Sequence, residues 1–371
     1  MIVRGHRVYR GHRGGGSRLP SVLLFLAVLL FLVLLASFSL LPQYLVYHRN
    51  SVEMVVPMLE EDGQPYTVER VAAPQPYSGE AISSVQITEP SYTDVDLTDQ
   101  SGMNYLRGYF VAQSKINENG LTAAVKDAER NNLQGLVLQM KDESGKLAWV
   151  SAVPRASSSK ANSEWDPSAY IAELKADGWY LAAQISCSTD TLLAESSPEL
   201  ALRDKTGAVY ENAAGKWVDP WNREVRSYTV ELCQDLLDMG FDEIILSRVE
   251  HPLGEVTYTR SVASGLSRTA CVMNFATSVR TALQPSLKAH GAHLCAAVTH
   301  DVFSPDGTAN GQSLENFLKV FDRVVISTAT YSDDVKWFLD SKEDSTLRFV
   351  PQMTWAFGGA SVILDPAAPA A

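Results

Sequence analysis

The chain has 371 residues, 46% of them apolar and 20% charged, enough for one large domain or two small ones with a sizeable core. Its 31 Lys and Arg against 43 Asp and Glu give a net charge of -12, which argues against general nucleic-acid binding, because that works by neutralising phosphates. Four Cys, 23 Gly and the lack of a sustained heptad exclude a disulfide scaffold, a collagen and a coiled coil.

The charge is unevenly placed. Residues 1–49 hold six Arg and no acid, so residues 50–371 carry a net charge of -18. From Leu19 to Tyr47 there is no charged residue, and 22–41 is nearly all Leu, Val, Phe and Ala. About 20 apolar residues cross a hydrocarbon core of roughly 30 Å as a helix. Arg4, Arg7, Arg10, Arg13 and Arg18 precede this stretch, and Glu53, Glu60, Glu61 and Asp62 follow it. The positive-inside rule therefore predicts a cytoplasmic basic tail over 1–18, a single transmembrane helix over 19–47, and everything beyond outside the membrane. A cleaved signal peptide is the alternative, with small residues around Ala36 and Ser39 as the cut. Its apolar region would usually be about 7–15 residues, shorter than this one. The early arginines read as a topology signal that also touches anionic headgroups.

Residues 48–104 read as an acidic, proline-containing linker. Positions 50–104 hold ten acids, one base (Arg70) and five prolines (Pro57, Pro65, Pro74, Pro76 and Pro90). Such a segment repels itself and stays extended.

From Tyr105 short apolar runs alternate with amphipathic stretches. Residues 108–113 (GYFVAQ) predict a first strand and 120–131 a helix. Then follow strand two at 135–140 (GLVLQM), a helix at 168–177 and strand three at 180–187 (YLAAQISC). A helix at 224–239, closed by Gly240, leads to strand four at 242–246 (DEIIL). A helix at 271–289, closed by Gly291, leads to strand five at 293–299. A helix at 314–320, strand six at 323–328 and strand seven at 348–353 complete the series. Continuous apolar strands between helices imply a parallel sheet covered on both faces. Seven of them in about 260 residues suit an α/β (β/α)8 TIM-like barrel over 105–371 better than an open sheet. After Trp355 there is no room for a further crossover helix, so 361–364 either supplies a short eighth strand or leaves the barrel incomplete. Neither GxGxxG nor GxxxxGK[ST] occurs, and no cofactor is expected.

Several segments carry a resemblance. They are RGYFVAQ from Arg107, LQMKDESGKLAWVSAVPRA from Leu138, LLAESSPELALRDKTGAVY from Leu192, WVDPWNREVRSYTVELCQDLLDMGFDEI from Trp217, THDVF from Thr299 and GQSLE from Gly311. Together, over about 105–357, they resemble a bacterial glycoside-hydrolase-like family of TIM-barrel proteins. That family is often described only as a domain of unknown function and is distantly similar to the amylase clan. The resemblance implies a barrel that acts on, or binds, a polysaccharide. Any chemistry would then sit on the loops following the strands. The family's acid in strand two, in V-x-D-x-K-D, is Gln139 here, and its strand-three arginine position is Gln184. Its DYxRFP signature after strand four becomes Ser247, Arg248, Val249, Glu250, His251 and Pro252.

Glycoside hydrolysis usually needs two carboxyl groups, and serine cannot replace one. Asp142, Glu250 and Asp301 remain as candidate catalytic acids and bases. Candidate substrate contacts are Lys141, Asp219, Trp217, Trp221, Arg248, His300, Gln352 and Trp355. Each has a bland counterpart. Asp142 would be a loop residue paired with Lys141 or Lys146, and Glu250 a solvated residue near a proline turn. Asp301 would cap the next segment, and Asp219 would organise its own loop. The tryptophans, with Trp149, Trp165 and Trp337, would serve packing rather than sugar stacking. Three functions remain open: hydrolysis, glycan binding without cleavage, and an envelope scaffold for a protein partner. His290 and His293 straddle a helix end without an acidic or cysteine partner in sequence, so no metal site is expected. Cys187, Cys233, Cys271 and Cys295 lack CxxC spacing and read as buried small residues. A Cys187–Cys295 disulfide is the alternative for two of them.

Overall fold

Eight runs of apolar residues, each flanked by helices or turns, form eight strands that close on one another. The structure is a computed structural model and describes residues 45–48, 51–54, 96–258, 267–299, 302, 309–327, 345–356 and 358–367. The barrel strands are β1 (Arg107–Val111), β2 (Gly135–Lys141), β3 (Tyr180–Ser186), β4 (Glu243–Ser247), β5 (His293–Val298), β6 (Arg323–Ser327), β7 (Phe349–Met353) and β8 (Val362–Leu364). All neighbours are parallel and follow chain order, and β8 returns to β1 with Val362 opposite Arg107 and Leu364 opposite Tyr109. The eighth strand exists, so the barrel is closed rather than incomplete.

Among the described residues the longer helices on the outside are α1 (Glu118–Arg130), α2 (Ser168–Ala176), α3 (Arg223–Asp238), α4 (Arg268–His290) and α5 (Leu314–Val320). The starts of all but α2 are set by side chains that accept otherwise unpaired backbone N–H groups. Asn117 accepts from Gly120, Asn222 from Glu224, Ser267 from Ala270 and Ser313 from Asn316. Each helix buries one face, as with Leu121, Ala124 and Ala128 of α1 or Val272, Phe275 and Val279 of α4, against outward-facing strand residues such as Leu138 and Leu246. A fully buried side chain of this size contributes about 1.5–3 kcal/mol relative to an exposed one. Inside the ring a separate cluster of Leu106, Val137, Ala182, Ile245, Cys295, Val325, Val350 and Ile363 fills the bore, so the barrel is a packed core and not a channel.

Charged residues close the floor, where the strands begin. Arg323, wholly buried, lies 3.2 Å from Glu243 and donates to the Leu347 and Asn104 carbonyls, while Tyr180 donates to Glu243 at 2.7 Å. Beside it Asp322 takes hydrogen bonds from Arg280 at 2.8 Å, from the Leu294 amide and from the Asp99 amide. Burial alone would raise the Asp322 carboxyl. His293, 3.8 Å away, and the hydrogen bond and charge of Arg280 outweigh that and leave it below the usual carboxylate range. Leu97 bonds to Lys319 through its amide and to Arg280 through its carbonyl. Residues 96–104, which the sequence assigns to the linker, therefore lie against the barrel floor.

A separate unit holds an antiparallel hairpin, Leu45–His48 with Ser51–Met54, in which Leu45 faces Met54. The predicted membrane helix over 19–47 lies outside the described residues except for its last three, which are strand. Among the described residues no helix is long and apolar enough to cross a membrane.

Candidate functional site

Strand side chains alternate between faces, so the register of the bore cluster fixes which residues look into the mouth, where the strands end. Two positions beyond Val137 and Ala182 come Gln139 and Gln184, and two beyond Ile245 comes Ser247. Val350 and Ile363 are followed in the same way by Gln352 and Asp365. Phe110 and Ala297 are half-buried and pack on the bore cluster from this end. Among the described residues the strand-end positions of the mouth thus hold amides, the Ser247 hydroxyl and an aromatic ring, together with one carboxylate, Asp365.

On the β2–β3 side Lys141 is buried rather than offered to solvent. Its Nζ lies 3.0 Å from Asp190 and donates to the Ser186 carbonyl at 2.6 Å, with both charged side chains no more than 3% exposed. Asp190 also accepts from the Leu193 amide, starting the short helix Thr191–Ser196. The close approach depends on Gly145, whose φ is +93° and where a Cβ would sit 2.0 Å from Asp190 Oδ1. Asp142 turns its loop: one oxygen accepts from the Ser144 amide and hydroxyl and from the Lys146 amide. Gln139 accepts from the Gln113 amide and ties β1 to β2 at the rim. Cys187, sealed just past β3, is pushed up to about 12 by burial in spite of the Lys141 charge, so it stays a thiol.

On the β4–β5 side Ser247 donates to the Ile185 carbonyl at 3.1 Å. Arg248 has φ +54°, a left-handed backbone that a bulky residue adopts only when its surroundings hold it there. Its guanidinium, about one third exposed, sits between Glu143 (3.5 Å) and Glu250 (3.0 Å). Glu250 is not solvated as its bland reading has it but buried, with its second oxygen accepting from Asn310 at 3.0 Å. Asn310 also donates to Thr299, while Gln312 accepts from the Thr299 amide and donates to the Val249 carbonyl. One amide network therefore fixes both loops.

Gln352 and Asp365 meet across the β7–β8 pair at 2.8 Å, and Trp355, just beyond β7, is 47% exposed. The other candidate aromatics pack: Trp217 is buried and donates to Asn212, and Trp221 lies under Arg226, 5.9 Å from the ring centroid. Asp219 is fully buried and accepts from the Trp221 amide, which fits its loop-organising reading. His300, Asp301 and Trp337 lie outside the described residues.

The sequence reading missed Phe110, Asp190, Asn310 and Asp365. The alternation that marks Gln139 would have marked Phe110, but Asp190 and Asn310 have partners too distant in sequence to infer. Among the described residues no group of three or more His, Cys, Asp or Glu could hold a metal ion. All four cysteines are buried and free, so there is no Cys187–Cys295 disulfide. A depression of about 440 Å³ lined by Glu129, Gln134, Asp177 and Trp179 lies among the loops entering β2 and β3, at the opposite end from the mouth. In this fold that end serves stability.

A family model described as "Putative glycosyl hydrolase domain" matches residues 108–336. No curated protein matches the chain. Among solved structures, a hypothetical protein from Ruminiclostridium thermocellum is 19% identical, with 51% of this chain and 96% of that chain covered and a TM-score of 0.44. The glycoside hydrolase domain of PgaB (BpsB) from Bordetella bronchiseptica is 12% identical, with 67% and 84% covered and a TM-score of 0.48. The glycoside hydrolase domain of PelA from Pseudomonas aeruginosa is 13% identical, with 68% and 84% covered and a TM-score of 0.37.

Proposed function

The chain belongs to the family described as "Putative glycosyl hydrolase domain", and from that premise we propose that it is a polysaccharide-binding barrel of glycoside-hydrolase type. In this reading the barrel is held outside the cell membrane by the apolar segment over 19–47. The observation that carries the binding function is the composition of the mouth. Gln139, Gln184, Ser247 and Gln352 occupy strand-end positions, and planar amides and a hydroxyl suit sugar hydroxyls; Gln139, Ser247 and Gln352 are fixed by their own hydrogen bonds. Hydrolysis needs a pair of carboxyl groups on either side of the bond that breaks. Asp142 is engaged in a loop turn and Ser247 is no acid.

A second reading keeps catalysis, with Glu250 and Asp301 as the acid and base. It is favoured by the bond from Asn310 that ties Glu250 to Thr299, two residues before Asp301. Arg248, one third exposed beside Glu250, would then contact substrate together with His300.

The test is a glycan array with cell-wall polymers, applied to the full chain and to Asp301→Asn and Glu250→Gln. Binding without released sugar, retained in both variants, supports the binding barrel. Product that disappears in both variants supports the second reading. No interaction with any polymer sinks both and leaves an envelope scaffold.

A further inference from the structure

Glu143 lies two residues beyond β2 and Arg248 one beyond β4, so both belong to the end of the barrel where the strands finish. β3 is the strand between them, and the pair bridges the two loops with Arg248 Nε 3.5 Å from Glu143 Oε1. The two side chains are 35% and 34% exposed. A buried relay aims the guanidinium: its Nη1 donates to Glu250 Oε1 at 3.0 Å, and Asn310 donates to the other Glu250 oxygen at 3.0 Å. Both partners of Arg248 keep it at the rim in spite of its left-handed backbone, a strain that persists only where the surroundings enforce it. The exposed pair has bonding capacity to spare. Neither Glu143 oxygen accepts a hydrogen bond among the described residues, Arg248 Nη2 donates none, and none of these atoms is sealed from solvent. An acceptor and a donor therefore stand side by side and within reach. A sugar hydroxyl both donates and accepts, so a neutral ring can satisfy both, whereas a sugar carboxylate only accepts. An acidic sugar would compete with Glu143 for Arg248, and there the single positive charge already faces two negative ones, Glu143 and Glu250. Lys141 does not offset them, because Asp190 neutralises it, and Lys146 is balanced by Asp142 of its own loop. The local balance stays negative.

We infer that Glu143 is a specificity-determining residue: with Arg248 it forms a contact for neutral sugar rings, and its charge turns away acidic ones such as uronic acids. The inference rests on the glycan-binding reading above and deepens it by naming the substrate class. Like charges brought together at a binding surface cost enough to exclude a ligand that otherwise fits.

The experiment titrates the purified full chain by calorimetry with cellohexaose and maltohexaose, which are neutral, and with hexagalacturonate, which carries a carboxylate on every ring. Thermal melts run alongside. The expected result, at about 0.01 M salt where charges are little screened, is binding of a neutral probe and at least about tenfold weaker binding of hexagalacturonate. In Glu143→Gln, a partly exposed change that keeps the side-chain volume, that gap narrows about tenfold and the melt stays near wild type. Glu129→Gln removes the same charge from the opposite end of the barrel and leaves the gap as it is. If Glu143→Gln does not fold, Glu143→Ala takes its place under the same criterion. Hexagalacturonate bound as well as the neutral probes by wild type, or an unchanged gap in the folded Glu143 variant, overturns the assignment and leaves glycan binding standing. A gap that narrows equally in Glu129→Gln also overturns it, because net charge and not this pair would then reject the acid. A wild-type chain that binds none of the probes overturns the glycan reading and the assignment with it.

Discussion

Lys141→Met separates a structural lysine from a substrate-binding one. Lys141 and Asp190 are 3.0 Å apart, and their side chains are 3% and 2% exposed. Removing the ammonium leaves the Asp190 carboxylate enclosed with no counter-charge, which costs about 3–5 kcal/mol. The lost bond to the Ser186 carbonyl at 2.6 Å is worth about 1 kcal/mol, and the Met chain restores part of it by filling the space of the lysine stem. The net expectation is about 3–5 kcal/mol, or roughly 10 °C in Tm for a domain of this size. Urea unfolding at pH 7 followed by circular dichroism measures it directly. The double variant Lys141→Met with Asp190→Asn should recover most of the loss, because the isolated charge is gone and Asn still caps the Leu193 amide. A single variant within about 1 kcal/mol of wild type, or two losses that simply add, would refute the reasoning.

Gly145→Ala should destabilise by about 1–3 kcal/mol in the same assay, because a Cβ there meets Asp190 and the backbone is left-handed. Asp322 has its carboxyl held below the usual range, so it contributes stability above the unfolded-state value of about 3.9 that is lost as pH falls through the lower folded value. Stability against pH, measured by urea midpoints from pH 2 to 6, should therefore fall less steeply in acid for Asp322→Asn than for wild type, from a lower plateau. Asp235 has the opposite sign. Burial raises its carboxyl despite hydrogen bonds from Ser151 and Trp149, so ionising it works against the fold as pH rises past the unfolded value. Asp235→Asn should gain stability relative to wild type at pH 7 and lose that advantage near pH 3, as read from paired melts.

Seven of the eight strands were legible because each is a run such as GLVLQM or DEIIL with both faces to bury, bounded by helix stop signals such as Gly240 and Gly291. The eighth is not, because three residues, Val362–Leu364, give too short a pattern to distinguish from a loop; only pairing with Arg107 to Tyr109 makes it a strand. Asp365 went unseen for the same reason. Residues 96–104 read as linker from their acids. Yet Asp96 and Asp99 bend the chain locally, and it is the carbonyls of Leu97 and Asn104 that buried arginines hold. Composition reports solvation and carries no signal for backbone bonds of that kind. At the mouth, Gln139 and Gln352 were legible as strand-end positions, whereas the packing of Trp217 and Trp221 depends on Asn212 and Arg226, which no local pattern links to them.

The short β8 also makes a seam. It meets β7 through two register pairs, Gln352 with Ile363 and Met353 with Leu364, where β3 and β4 share five. Strand pairs that share so few bonds are the first to part in native-state fluctuations, well before the whole barrel unfolds. Gln352 and Asp365 stand on opposite sides of that seam and hold it with a single side-chain bond. A molecule that engaged both would act as a staple, so occupancy of the mouth should appear as slowed amide exchange along β7 and β8 and as a gain in stability that grows with its concentration.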